Sequence, residues 1–194
     1  MHDELQIWRY RSVSQAAVFT DLRGFDDIFR FDTGQPLRHE FPRDAAFHMN
    51  PDFPTDLELP DNVANSLQVL LVSARLQQAL QAAGVADVEY LPVAIVDHEG
   101  HVASATHVIV HPVGLVDAID LANSAYQPHR FVKGRIDKVT RLVVDLERVP
   151  AERQLFKLKG YGAPVLVRRA LAQGLASSAF SGLDWMDLSA FPRA

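Results

Sequence analysis

Hydrophobic and polar positions along this chain form a pattern that occurs twice. Leu70-Leu71-Val72-Ser73-Ala74-Arg75-Leu76-Gln77-Gln78-Ala79-Leu80, continuing to Val88-Glu89-Tyr90-Leu91-Pro92-Val93, is echoed without gaps 95 positions later. The echo is Val165-Leu166-Val167-Arg168-Arg169-Ala170-Leu171-Ala172-Gln173-Gly174-Leu175, continuing to Leu183-Asp184-Trp185-Met186-Asp187-Leu188. Under that shift Leu71, Val72, Leu76, Gln78 and Leu80 meet identical residues. Val85, Val88, Tyr90, Leu91 and Val93 meet the apolar Phe180, Leu183, Trp185, Met186 and Leu188. Both copies have the pattern of strand, helix, strand, so the repeat units, about residues 69–96 and 164–188, organise the expected fold.

In the first copy Leu76, Ala79, Leu80 and Ala83 fall at i, i+3, i+4 and i+7, one apolar stripe on a helix. Ser73 is placed to cap its start and Gly84 to end it. The second helix is weaker. Arg168 and Arg169 stand where a cap and first turn favour Ser or Asp, and Gly174 in its middle costs about 1 kcal/mol relative to alanine. Val88 to Val96 is apolar on both faces, as in a buried strand, and returns through Asp97-His98-Glu99-Gly100 into Val102 to Pro112 as a hairpin. Gln6 to Tyr10 alternates and predicts an opening strand. Leu115 to Leu121 and Val139 to Leu146 predict two more strands, with Asn123 to Asp137 a polar loop between them. Five prolines between residues 32 and 62 predict an irregular segment wrapping the surface. The expected class is α+β: a mixed, largely antiparallel sheet with two strand–helix–strand repeats, in a single domain over residues 1–194.

Composition bounds the chemistry. The chain has no cysteine, which excludes disulfides and thiolate catalysis and suits a reducing compartment. Its acidic start is followed by no long apolar run, so neither a secretory signal nor a membrane span is expected, and a cytoplasmic location follows. Net charge is −5, and all of it arises early: residues 1–60 carry eleven Asp and Glu against six Arg, while the remainder carries thirteen of each sign. A net negative surface disfavours nucleic acid and favours basic partners.

His98, His101, His107 and His111 fall within fourteen residues, beside Asp97 and Glu99, and define the enzymatic alternative, a metal-dependent hydrolase built on the His98–His111 hairpin. Zinc needs its ligands within about 2.3 Å of one point, whereas an extended strand spreads residues at about 3.3 Å each, and no third ligand is evident; the four are therefore expected to be surface histidines on an exposed hairpin. No G-x-S-x-G elbow occurs, Ser177 and Ser178 have no nearby histidine, and Gly160-Tyr161-Gly162 lacks the lysine and hydroxyl of a phosphate cradle. The basic run Arg130, Lys133, Arg135, Lys138, Arg141 holds only Phe131 as an interleaved aromatic and is expected to be a solvated loop and strand edge. In the acidic tract Asp44, Asp52, Asp56, Glu58, Asp61 no Lys or Arg intervenes between Arg43 and Arg75. Asp52, Asp56, Glu58 and Asp61 are therefore the expected partner-binding residues, since complementary potential speeds association with a basic partner.

The order of several short motifs is similar to a known family. Leu59-Pro60-Asp61-Asn62, Val72-Ser73-Ala74-Arg75-Leu76 and Tyr90-Leu91-Pro92-Val93 precede Ile119-Asp120-Leu121-Ala122-Asn123-Ser124 and Leu142-Val143-Val144-Asp145. Leu155-Phe156-Lys157-Leu158-Lys159-Gly160-Tyr161, Val165-Leu166-Val167 and Gly182-Leu183-Asp184-Trp185 follow. Over roughly residues 55–191 this resembles polymorphic-toxin immunity family eleven, a myxobacterial-type immunity domain formerly of unknown function. The chain departs from it at Lys157, where arginine is expected, at Arg168 in place of serine, and at Ala179 in place of a helix-ending glycine. The resemblance implies a bacterial immunity protein that binds a cognate protein toxin by occlusion, with no catalytic residue, cofactor or metal to carry over. A scaffold or regulatory module binding another partner is the remaining alternative.

Overall fold

The structure is a computed structural model that describes residues 4–191, the side chain of residue 163 excepted. With strands numbered in chain order, a six-stranded sheet runs β2 (Phe19–Arg23), β3 (Ala46–Met49), β6 (Val88–Val96), β7 (Val102–Pro112), β5 (Leu70–Val72), β4 (Asn62–Val63). A five-stranded sheet runs β13 (Leu183–Asp187), β1 (Leu5–Tyr10), β12 (Tyr161–Arg168), β11 (Leu155–Leu158), β8 (Leu115–Val116). A ribbon of β9 (Ala125–Pro128) and β10 (Ile136–Arg141) stands apart, and α1 (Ala74–Ala82) and α2 (Arg169–Ala176) are the two α-helices of the described residues. Pairing is antiparallel except for β3 with β6 and β11 with β8, so the class is α+β with mixed sheets.

The two echoing segments occupy different sheets, and in each a foreign strand is inserted. β7 lies between β5 and β6, and β1 lies between β12 and β13. Ile109 of β7 faces Leu71 on one side and Leu91 on the other; Ile7 of β1 faces Leu166 and Met186. Twenty residues separate the flanking partners in both cases, so the two three-strand arrangements share one register.

Side chains alternate across each sheet, and this sorts the core into three bodies. Leu70, Val72, Val108 and Val110 of one sheet and Val165, Val167 and Trp8 of the other close on Leu76, Leu80, Leu171 and Leu175 of the helices. The intervening Leu71, Leu91 and Ile109 point the other way, into Phe25, Phe31, Leu37, Phe41 and Phe47. Leu166, Ile7 and Met186 likewise face Ile119, Val139, Leu142 and Val144. Sheets covered on both faces explain the unbroken apolar runs, and each fully buried leucine contributes on the order of 2 kcal/mol.

α1 starts and stops as its sequence predicts. Ser73 Oγ accepts the Leu76 N–H at 3.2 Å, and Gly84 has φ +70° just past the helix. At the start of α2 Arg168 makes no side-chain cap, and its guanidinium donates instead to the carbonyls of Val149, Pro150 and Arg153.

Three expectations change. Leu115–Leu121 yields only the short β8, and Val139–Leu146 is a strand only as far as Arg141. Ala118, Ile119, Leu142 and Val144 are buried, and the two segments meet only in a single antiparallel bridge of Ile119 with Val144, closed by the Asp120 N–H to the Val143 carbonyl at 2.9 Å and the Asp145 N–H to the Ala118 carbonyl at 2.8 Å. The polar stretch 123–137 contains β9, which needs only one covered face. The proline-rich segment 32–62 supplies β3 and the fully buried Leu37 and Phe47, so it forms part of the core as well as wrapping it.

Ala179 occupies the position equivalent to Gly84 and holds φ +47°, a left-handed conformation that costs an L-residue about 1 kcal/mol. Ala179→Gly should therefore raise the urea midpoint, the unfolding free energy growing by roughly 0.5 kcal/mol once the added freedom of the unfolded chain is offset. An unchanged or lower midpoint would contradict this assignment.

Candidate functional site

The acidic tract divides into two parts with different jobs. Asp52 and Glu58 are exposed and Asp56 is half-buried, and among the described residues none of the three carboxylates forms an ion pair. Their backbone is fixed: the Asp52 N–H donates to Asn50 Oδ1 at 3.0 Å, Phe53 N–H to the Asn50 carbonyl, and Glu58 N–H to the Gln15 carbonyl at 2.9 Å. Phe53 and Leu57 on the same loop are exposed.

Asp61 faces inward, its side chain only 12% exposed. Its Oδ1 accepts Ser73 Oγ–H at 2.7 Å, while Oδ2 accepts Arg75 Nη1 at 2.8 Å and the Ser181 N–H at 3.0 Å. Burial pushes this carboxyl up, but the bonds from Ser73 and Ser181 and the Arg75 charge outweigh it, leaving it below the usual carboxylate range. The next residue, Asn62, is fully buried; its Oδ1 accepts Trp8 Nε1–H, and its Nδ2 donates to the carbonyls of Arg9 and Gly182, all at 3.0 Å.

The histidine hairpin does not assemble a site. His107 and His111 are buried, contrary to their expected place on an exposed surface, because β7 is a central strand. His107 Nδ1 pairs with Ser104 Oγ at 2.8 Å, and His111 Nε2 with the Gln35 carbonyl at 2.9 Å against the edge of Phe31. Burial holds both imidazoles below their ordinary range. His101 remains at the exposed turn beside Asp97 and Glu99, before the start of β7 and so apart from His107 and His111. Among the described residues no three His, Cys, Asp or Glu side chains come together as a metal site.

A cleft of about 710 Å³ opens elsewhere, between the 3₁₀ turn Ile28–Asp32, the loop 129–137 and the start of β12. Lys157 lies buried at its floor, donating to the Phe31 carbonyl at 3.1 Å and to Asp32 Oδ1 at 2.8 Å. Phe29, Lys133 and Arg135 also line it. The wall is rigidly built. His129 Nδ1 accepts the N–H groups of Phe131 and Val132, the His129 N–H donates to the Arg135 carbonyl at 2.8 Å, and the Ile136 N–H donates to the Gly160 carbonyl at 2.8 Å. A Cβ at Gly160 would strike the Gly134 carbonyl, so glycine is what lets the two loops meet. Sequence reasoning missed this cleft; its one local signal was Phe131 inside the basic run.

From residue 6 to residue 190 the chain matches the model of the immunity protein family Imm11. The chain belongs to that family. A comparison with curated proteins finds no match. Membership associates this Imm11 protein with toxin immunity, and its motif Leu59-Pro60-Asp61-Asn62 acquires a physical meaning: the last two residues tie the two sheets together. No helix among the described residues of this Imm11 chain is long and apolar enough to cross a membrane.

The two parts of the acidic tract should separate in a stability measurement. Asp61→Ala strands the Ser181 N–H, the Ser73 hydroxyl and the Arg75 charge, and should cost about 2–4 kcal/mol in urea denaturation. Asp52→Ala should change stability by no more than about 0.5 kcal/mol. Equal losses from the two variants would overturn the division.

Proposed function

We propose that this Imm11 protein neutralises a cognate toxin domain in the cytosol by binding it and covering the surface the toxin needs, without a reaction of its own. The observation that carries this reading is the loop 50–58. It combines three carboxylates unpaired among the described residues, two exposed apolar side chains and a backbone already held by hydrogen bonds. An inhibitor that works by occlusion needs a preformed surface of about 800 Å² per partner with a few anchoring side chains, and a loop ordered before contact loses little entropy on binding. Unpaired carboxylates also attract a basic partner during encounter. Asp61, part of the originally expected contact set, supports that surface from behind by anchoring the chain that leaves the loop.

We also infer that the two strand–helix–strand segments are copies of one unit. The shared twenty-residue register about Ile109 and Ile7, the equivalent left-handed positions Gly84 and Ala179, and the meeting of both helices in one core support this. Repetition of this kind serves architecture, leaving recognition to segments outside the copies.

The test is calorimetric titration with the toxin domain encoded beside this gene. Joint charge reversal of Asp52, Asp56 and Glu58 to lysine should weaken binding at least tenfold at low salt, the gap narrowing as ionic strength rises and the Debye length falls to about 3 Å near 1 M. An unchanged affinity would remove the acidic loop from the contact while leaving the immunity role in place.

A further inference from the structure

The cleft at Lys157 has features that an internal structural role does not use. Phe29 in its lining is 71% exposed, and Phe131, on the loop that contributes His129, Lys133 and Arg135 to that lining, is 84% exposed. Isolated exposed apolar side chains are ordinary, but Ile28 beside Phe29 also lines the concavity, and Val132 beside Phe131 is exposed on the adjoining loop. The loop is not a loose tether either, because His129 Nδ1 holds two of its amides and Gly134 seats against Gly160.

Charge selects the occupant. Lys157 at the floor is neutralised by Asp32, so the interior offers no free cation. Lys133 and Arg135, which form no ion pair among the described residues, line the cleft together with Asp137, and Arg130 on the same loop lies with its guanidinium 5.6 Å from the Phe131 ring. Between residues 130 and 141 five Lys and Arg face a single acid, Asp137. A small anion would want its cation at the floor; a segment with apolar side chains inside and carboxylates at the rim matches this arrangement. Nucleic acid fits poorly, because a chain of net charge −5 repels a polyanion at long range and only Phe131 interrupts the basic run as a stacking platform.

We infer that this cleft is a second contact surface, which takes an acidic segment of the toxin whose apolar anchors pack on Phe29 in the cleft and on Phe131 of the adjoining loop; the inference rests on the immunity reading above. Opposite charges on the cleft and on the acidic loop then fix the orientation of the bound toxin, since each repels the toxin surface that suits the other.

The experiment uses the full chain and the toxin domain encoded beside its gene, with a 20-nucleotide single-stranded DNA as a second probe. Phe29→Ala with Phe131→Ala should leave the thermal midpoint within about 2 °C of wild type, because both rings are already in water. The same pair should weaken toxin affinity about a hundredfold, through faster dissociation. Joint charge reversal of Arg130, Lys133 and Arg135 to glutamate should slow association at least tenfold at low salt and less at high salt. If wild type binds the toxin and these variants bind equally well, the cleft proposal is overturned and the immunity reading stands. If wild type does not bind the toxin, both fall. DNA binding that the variants lose while toxin binding is unaltered would assign the cleft to nucleic acid and overturn the proposal.

Discussion

Between the two sheets, Asn62 makes three side-chain hydrogen bonds in a site closed to water, to Trp8 and Arg9 of β1 and to Gly182 just before β13. An amide there is costly unless every group is matched, and this one accepts once and donates twice in full. Its neighbour Asp61 collects Ser73 and Arg75 from the start of α1 together with Ser181. The Arg75 guanidinium also stacks 4.4 Å over the Phe180 ring, closing the junction from outside. Two consecutive residues thus join the six-stranded sheet, both echoing segments and the first strand of the chain. The layered core can slide along its apolar faces, but these directional bonds allow one alignment only.

That constraint explains which parts of the molecule were legible in the sequence. The hairpin Val88–Pro112, the Ser73 cap and the Gly84 stop depend on neighbours a few residues away, and all three appear where periodicity and turn chemistry put them. The inward role of Asp61 depends on Ser181, 120 residues distant, so its carboxylate looked like Asp52 and Glu58 until the chain was folded. His107 and His111 were mistaken for surface groups for the same reason: β5 buries β7 from the side, and β5 precedes it by some thirty residues. Lys157, where arginine was expected, turns out to be a buried cation matched by Asp32 and the Phe31 carbonyl from the far end of the chain.

The proposed place of recognition follows from the same constraint. The echoing segments are largely committed to the core, their strands packed between its bodies and each helix burying one face there. The loop 50–58 and the loop 129–135 lie outside both segments, and each presents exposed aromatic and charged side chains on a hydrogen-bonded backbone. Sequence could flag the first, because its acids fall within seven residues. It could not flag the second, because Phe29 and Lys133 come to line one cleft only through the packing of the turn 28–32 against β11 and β12.

Immunity by occlusion is inhibition by occupancy. It is read out by titrating this protein into its cognate toxin domain while toxin activity is followed. Occlusion predicts inhibition that is complete at a fixed stoichiometric ratio, shows no dependence on incubation time once binding is complete, and is reversed when the intact toxin is separated from the complex. Progressive loss of toxin activity at a small fraction of one equivalent, with covalently altered toxin recovered afterwards, would contradict it.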